Sequence, residues 1–308
     1  MPGNGRDTAN RRPMNINYLK YFFTKDPVSF VAPAVRPRLN IIVFSKNRAC
    51  QVESLLRSIR DHLMYDPVTV TVLYRATDKR FKAGYEKTIR RHPSPGIQWI
   101  EETDFYRDLT RNVQALPPDQ LIMFLVDDNI VFKKIDLRFI ISELTTRHLF
   151  ISLRAGRYYK KDARVPVFDR TKGLLEWQWR IQRKASTTWN YPFSVDGNIY
   201  HVGRMQQVIR HIRFAAPNSF ESAMHDYRKT RWVRKINRAI APVEPVIVNN
   251  PLNRVQTEGE TWHRQLDPAA INEKYLAGFV LDNTQLYNCG PTDTHCDLGL
   301  HWSKERES

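Results

Sequence analysis

The sequence predicts an α/β protein, one large domain on a mostly parallel sheet with helices on its faces. Three observations predict it. A continuous apolar run, Leu121–Val126, ends in two adjacent carboxylates, Asp127 and Asp128, and Ile130–Phe132 resumes the apolar character after Asn129. A run of that length without polar breaks reads as a strand buried on both faces. From Leu39 onward, β-rich runs alternate with helix-spaced apolar stripes, the order that builds parallel sheets through crossover helices. The chain has 308 residues and is 42 % hydrophobic, enough for a sizeable core.

Each element follows in order. Residues Met1 to Arg38 are rich in Gly, Asn, Arg and Pro, and Pro27, Pro33 and Pro37 interrupt regular structure; 1–38 is a basic N-terminal extension. Leu39–Phe44 is the first strand, ending at Ser45-Lys46-Asn47-Arg48. Val52, Leu55, Leu56, Ile59 and Leu63 then recur at helical spacing. Val68–Tyr74 is the second strand. Asp78 opens a helix on which Phe81, Tyr85 and Ile89 fall four apart, and an N-cap role suits it. Ile97–Ile100 is a short third strand. Phe105, Leu109, Val113 and Leu116 form the next helical stripe, which Pro117-Pro118 ends before the central strand. Further on, Val246–Val248 reads as a strand and Tyr275–Val280 as a covering helix. The expected division is 1–38, a domain over 39–260, and a C-terminal extension over 261–308 that packs on or covers the active site.

Composition narrows the function. Net charge is +16, from 48 Lys and Arg against 32 Asp and Glu, which favours anionic partners such as nucleotide phosphates, polyanions or an acidic membrane surface. Three cysteines, Cys50, Cys289 and Cys296, make no disulfide framework, although Cys289 and Cys296 are close enough in sequence to pair or to bind a metal. The N-terminus lacks the apolar core of a signal peptide, and no apolar run approaches the ~20 residues of a membrane span. A soluble, cytoplasmic protein that touches a membrane only at its periphery is expected. Neither GxGxxG nor GxxxxGK[ST] occurs, so both common phosphate loops are excluded.

The carboxylate pair therefore carries the chemistry. Open α/β sheets bind ligands beyond the carboxyl ends of their strands. Two like charges there repel unless a cation or hydrogen-bond donors stand between them. A divalent ion carrying a diphosphate would fill that place. Asp-Asp-Asn is also ordinary turn chemistry, and both readings stand.

Several further pieces join this one in order: Phe44-Ser45-Lys46-Asn47-Arg48; Tyr74-Arg75-Ala76-Thr77-Asp78; Val126-Asp127-Asp128-Asn129; Phe193-Ser194-Val195-Asp196-Gly197; Pro217-Asn218-Ser219-Phe220-Glu221; and Asn253-Arg254-Val255-Gln256. The ordered set, over about residues 39 to 257, resembles the GT-A type glycosyltransferases, in particular the large inverting family that includes polysaccharide synthases. The resemblance implies a GT-A type, Rossmann-like sheet and transfer of a sugar from a nucleotide-diphosphate sugar, a UDP-sugar, to a hydroxyl of a glycan or glycolipid, with inversion. It implies Mn2+ or Mg2+ as cofactor and no nucleic-acid partner. By position, Phe44, Ser45, Lys46, Arg48, Asp78, Asp127, Gly197 and Arg254 would hold the donor. Asp128, Asn129 and His263 would hold the metal. Glu221 would be the catalytic base, with Asp196 as the substitute.

The chain departs from the family's Asp-x-Asp motif. Read from Asp127, the third place holds Asn129, so two carboxylates stand where the motif has acids at both ends. Bland readings accompany several of these roles. Asn218 and Glu221 have the spacing of a helix capping box, which would lower the Glu221 pKa and weaken it as a base. The aromatic run Trp189, Tyr191, Phe193 would face a sugar ring or simply fill core. The runs Arg180–Lys184 and Arg228–Arg238 read as solvated faces. The other class in play is a basic polyanion- or nucleic-acid-binding protein that has the fold without the chemistry.

Overall fold

The structure, a computed structural model, describes residues 25–26, 36–157, 167–169, 172–180, 189–252, 266–287, 294–296 and 298–305. Its frame is a nine-stranded sheet. The first half alternates as expected: β1 (Leu39–Lys46), α1 (Ala49–His62), β2 (Val68–Arg75), α2 (Lys79–Arg91), β3 (Ile97–Glu101), α3 (Phe105–Ala115) and β4 (Leu121–Val126). After a short strand β5 (Asn129–Val131) come β6 (His148–Ser152), β7 (Val167–Asp169), β8 (Leu174–Gln178) and β9 (Asn198–His201). The second half continues with α4 (Val202–His211), α5 (Pro217–Tyr227), β10 (Arg238–Pro242) and β11 (Ile247–Asn249).

In space the strands run β3-β2-β1-β4-β9-β6-β10-β8-β7. The strands β3, β2, β1 and β4 are mutually parallel, as the alternation requires. β9 is antiparallel to both β4 and β6, and β8 is antiparallel to both β10 and β7. β6 and β10 are parallel. Only β9 and β8 therefore oppose the common strand direction.

Strand periodicity and cover on both faces explain why residues 39–45 of β1 and 121–125 of β4 are buried. Alternate side chains point to opposite faces. Leu39, Ile41 and Val43 of β1, with Leu121, Met123 and Leu125 of β4, join the core beneath α1 and α2. Ile42 and Phe44, with Ile122 and Phe124, join the core on the other face, with α3, α4 and α5. Of these two strands, only Lys46 and Val126, at the ends that meet the cleft, escape full burial, because both faces are covered elsewhere.

The C-terminal stretch packs behind the sheet. α6 (Pro268–Leu276) lies on α1 and α2, and the Tyr275 hydroxyl bonds Thr88 Oγ1 at 2.9 Å. The helix expected over Tyr275–Val280 thus sits earlier. Gly278, at φ 90°, turns the chain out of it, and β12 (Phe279–Leu281) pairs with β13 (Trp302–Lys304). Residues 294–296 return to β11, where Asn249 N donates to Thr294 O and Cys296 N to Asn249 O, each at 3.0 Å. Cys289 lies outside the described residues. No helix of the described residues is long and apolar enough to cross a membrane.

Candidate active site

β1 and β4 end side by side, Phe44 opposite Val126, and a cleft of about 740 Å³ opens beyond them. Asp127 and Asp128 follow β4 directly and line this cleft, as do Phe44, Ser45, Lys46 and Arg48 from the end of β1. The turn Lys46-Asn47-Arg48 aims Arg48 at the acids. Asn47 takes φ 58°, a left-handed conformation that asparagine tolerates better than most residues. Its side chain exchanges hydrogen bonds with Thr77, at 2.8 and 2.9 Å, tying the loop after β1 to the loop after β2.

Arg48 bridges the acid pair. Its Nη1 lies 2.8 Å from Asp127 Oδ1 and 3.3 Å from Asp128 Oδ2, and all three side chains are buried. The other Asp127 oxygen accepts from Ser45 Oγ at 2.8 Å and from Lys46 N at 3.4 Å. Ser45 Oγ is itself 2.6 Å from the Tyr85 hydroxyl, which also accepts from Arg48 N. Asp128 Oδ1 accepts from Asn249 Nδ2 at 3.0 Å. Burial pushes the Asp128 carboxyl up to about 7; Arg48 opposes the shift, and the charges of Asp127 and Asp196 add to it.

Asn129 is turned inward. Its Oδ1 accepts from Val126 N at 2.8 Å, closing the turn that carries the two acids, and its Nδ2 donates to Asp196 Oδ1 at 3.3 Å. The amide oxygen expected on a metal is therefore spent on the backbone. Asp196 lies across the cleft, paired with Arg154 at 2.9 Å, and Arg154 Nη1 also donates to Ser194 Oγ. Gly197, at φ 88°, takes a left-handed backbone conformation that favours glycine, and it does not line the cleft.

Glu221 lines the same cleft from the second turn of α5. The capping box expected from Asn218 and Glu221 does not form. Pro217 takes the first helical position, for which its fixed φ is suited, so Ala216 is the N-cap. Ser219 Oγ reaches back to accept from Ala216 N at 2.9 Å. Glu221 is thereby released from capping, and its carboxyl moves opposite to the direction that capping predicts. Burial and the Asp196 charge push it up to about 7, against Arg154, the Val195 N–H and the Ser194 hydroxyl. Its Oε1 accepts from Val195 N at 3.0 Å, and burial together with the Glu221 charge pushes the nearby Tyr191 hydroxyl pKa up.

Other expected residues sit elsewhere. Asp78 caps α2, accepting from Arg80 N at 2.8 Å and Phe81 N at 3.1 Å, and does not line the cleft. Trp189 and Phe193 are core. Arg254 and His263 lie outside the described residues. Sequence reasoning did not single out Arg75, Arg213 and His295 as site residues, yet all three line the cleft. Arg75 occupies the same strand-end place on β2 that Lys46 occupies on β1, a signal that was there to be used. Arg154 follows β6, whose Leu149-Phe150-Ile151 core is too short to stand out beside its polar flanks.

The fit of a divalent ion can be tested on these groups. Among the described residues, no three His, Cys, Asp or Glu side chains converge as a ready cage. Beside Asp128, however, Asn249 Oδ1 is buried without a hydrogen-bond partner, and the Asp128 carboxyl is under-neutralised. An orphaned oxygen next to a strained carboxylate suits a hard cation. Mg2+ in particular is commonly held by one or two carboxylates plus substrate phosphates rather than by an all-protein cage.

No family model matches the chain. Over 196 residues, 56 % of its length, it is 26 % identical to the bifunctional glycosyltransferase pgtA of Dictyostelium discoideum, of which that stretch covers 25 %. The chain thus spans about a quarter of this curated relative. Among solved structures, S. aureus TarS 1-349 in complex with UDP-GlcNAc is 15 % identical, covering 72 % of this chain and 60 % of that one, with a TM-score of 0.41. The mannosyltransferase PcManGT from Pyrobaculum calidifontis, in complex with GDP-Man and Mn2+, is 20 % identical, covering 47 % and 44 %, with a TM-score of 0.34. Superpositions this loose assign no residue a role. The resemblance read from the sequence is matched by a glycosyltransferase relative and by an α/β sheet whose strands mostly share one direction.

Proposed function

We propose that this chain is a glycosyltransferase domain that moves a sugar from a nucleotide-diphosphate sugar, a UDP-sugar, to a hydroxyl of a glycan or glycolipid acceptor, with inversion at the anomeric carbon. One observation carries the reading: a single cleft at the carboxyl ends of β1 and β4 has the acid pair Asp127 and Asp128 on one side and Glu221, raised to about 7, on another. Sequence likeness to a curated glycosyltransferase supports it.

In this reading the donor's nucleotide lies against Phe44, Ser45 and Lys46. Lys46, Arg75 and Arg213 on the cleft wall meet the charge that gathers on the leaving diphosphate. Asp128, with Asn249, would hold a Mn2+ or Mg2+ ion, which when bound adds Lewis-acid stabilisation of that diphosphate. Glu221 accepts the proton of the acceptor hydroxyl. As the O–H bond breaks, that oxygen bonds to the anomeric carbon and the bond from the anomeric carbon to the diphosphate oxygen breaks. A base whose pKa lies near the working pH suits this task, because it is ionised yet still basic. Arg154 pairs with Asp196 and holds it in place, and Asp196 in turn adds to burial in holding the Glu221 pKa up. A cytoplasmic site of action at the edge of an anionic membrane belongs to the same proposal and is supported by the net charge of +16.

The test is Glu221→Gln. Transfer should fall by at least ~10²-fold, while UDP still raises the melting temperature as it does for the unaltered chain. Turnover retained in this variant removes Glu221 from the mechanism.

A further inference from the structure

A second cavity, of about 520 Å³, lies on the far side of Tyr191 from the cleft. Its wall brings together two basic stretches that are remote in sequence: Arg180 after β8, and Arg228, Lys229 and Arg234 after α5. Trp179, Asn190, Tyr191 and His225 complete the lining, and none of the described lining residues is acidic. Asp226, just outside the lining, pairs with Lys229 at 2.7 Å. Arg228 is held below its ordinary pKa by burial, with only Asp226 and Tyr191 opposing. His225 is pushed down to about 4 by burial and by Arg228, so it is neutral in a basic surround.

Position links this pocket to the site of chemistry. Tyr191 stacks on His225, ring centroids 4.4 Å apart, and lies close enough to Glu221 for that charge to add to burial in raising its hydroxyl pKa. His225 follows Glu221 by one turn of α5. Whatever occupies the pocket therefore sits one aromatic ring away from the group read above as the base. The donor diphosphate already has cations of its own in the cleft, Lys46, Arg75 and Arg213.

We propose that this pocket binds an anionic group of the acceptor, a phosphate or a carboxylate, and so places the acceptor hydroxyl against Glu221. The proposal rests on the transferase reading for its mechanistic meaning, but anion binding by the pocket can be measured separately. Guanidinium groups grip such anions through paired, charge-assisted hydrogen bonds. The half-buried Tyr191 ring at the pocket wall offers an apolar edge for a sugar ring.

The experiment uses the full chain and a double variant, Arg228→Ala with Arg234→Ala. Thermal shift and calorimetry are run with glucose, glucose 6-phosphate and glucuronate, each in the presence of saturating UDP so that the donor cleft is filled. Both anionic probes should bind the unaltered chain roughly tenfold or more tightly than glucose. The double variant should lose that difference and keep its response to UDP. The stronger of the two probes identifies phosphate or carboxylate as the acceptor's charge. Equal binding of glucose and both anions overturns the proposal, and so does an anion preference that survives in the double variant. If UDP fails to bind even the unaltered chain, the transferase reading fails; the anion preference, titrated without UDP, still decides whether the pocket is an anion site.

Discussion

Arg48 is the residue on which the charge balance of the cleft turns. Its guanidinium is the one cation within 4.0 Å of both Asp127 and Asp128 among the described residues. Removing one partner of a buried ion group leaves the remaining charges uncompensated, which costs more than the pair contributes. Arg48→Ala should therefore destabilise the fold by roughly 3–5 kcal/mol in urea denaturation, whereas a surface arginine such as Arg60 should cost well under ~1 kcal/mol. Glu221 gives a second expectation at this scale. Its carboxyl, raised to about 7, must be ionised to accept a proton. The transfer rate should thus climb as pH passes through about 7 and level off above it. Asp196→Asn removes the charge that raises Glu221, so it should move the midpoint of this profile to lower pH. A profile unmoved by that change would mean another group sets it.

At the scale of elements, α2 and α6 pack closely against each other. A Cβ on Gly84 would come within 2.2 Å of Asn272 Oδ1, and Asn272 Nδ2 donates to Arg80 O at 2.9 Å. Gly84→Ala should force α6 outward at a cost of about 1–3 kcal/mol. Limited proteolysis should then cut between α6 and β12 sooner than in the unaltered chain. The same scale shows what sequence could convey. β1 to β4 and their helices were legible because each carries its own period, with caps and prolines at the ends: Asp78 and Pro117 mark boundaries that the structure keeps. β6, β8, β9 and β10 were not. They are four or five residues long and cross the sheet in both directions, so their burial depends on partners far away in sequence. Glu221 lines the cleft, whereas its local pattern suggested a cap. Pro217, one residue before Asn218, decided otherwise, and the raised pKa follows from Asp196 and Arg154, which no local pattern reveals.

The whole molecule carries a pH signature from its two strained carboxyls. In the folded chain Asp128 and Glu221 hold protons up to about 7, whereas their ordinary values are 3.8 and 4.5. Across that interval the folded state binds more protons than the unfolded chain, so these groups make stability fall as pH rises and hold it low above 7. The melting temperature should be higher near pH 5.5 than near pH 8, and Asp128→Asn should narrow the gap. At pH 8, UDP added with Mn2+ should restore part of the loss, since positive charge beside Asp128 relieves the same repulsion.

One described feature joins distant parts of the chain at the rim of the cleft. His295 reaches that rim because Thr294 and Cys296 clasp Asn249, whose amide in turn grips Asp128. A segment late in the chain thus steadies an acid that the first half of the sheet delivers. A nick or truncation ahead of Thr294 would leave every strand of the large sheet paired and still loosen the hold on that acid. Such damage would spare the scaffold and blunt the tool.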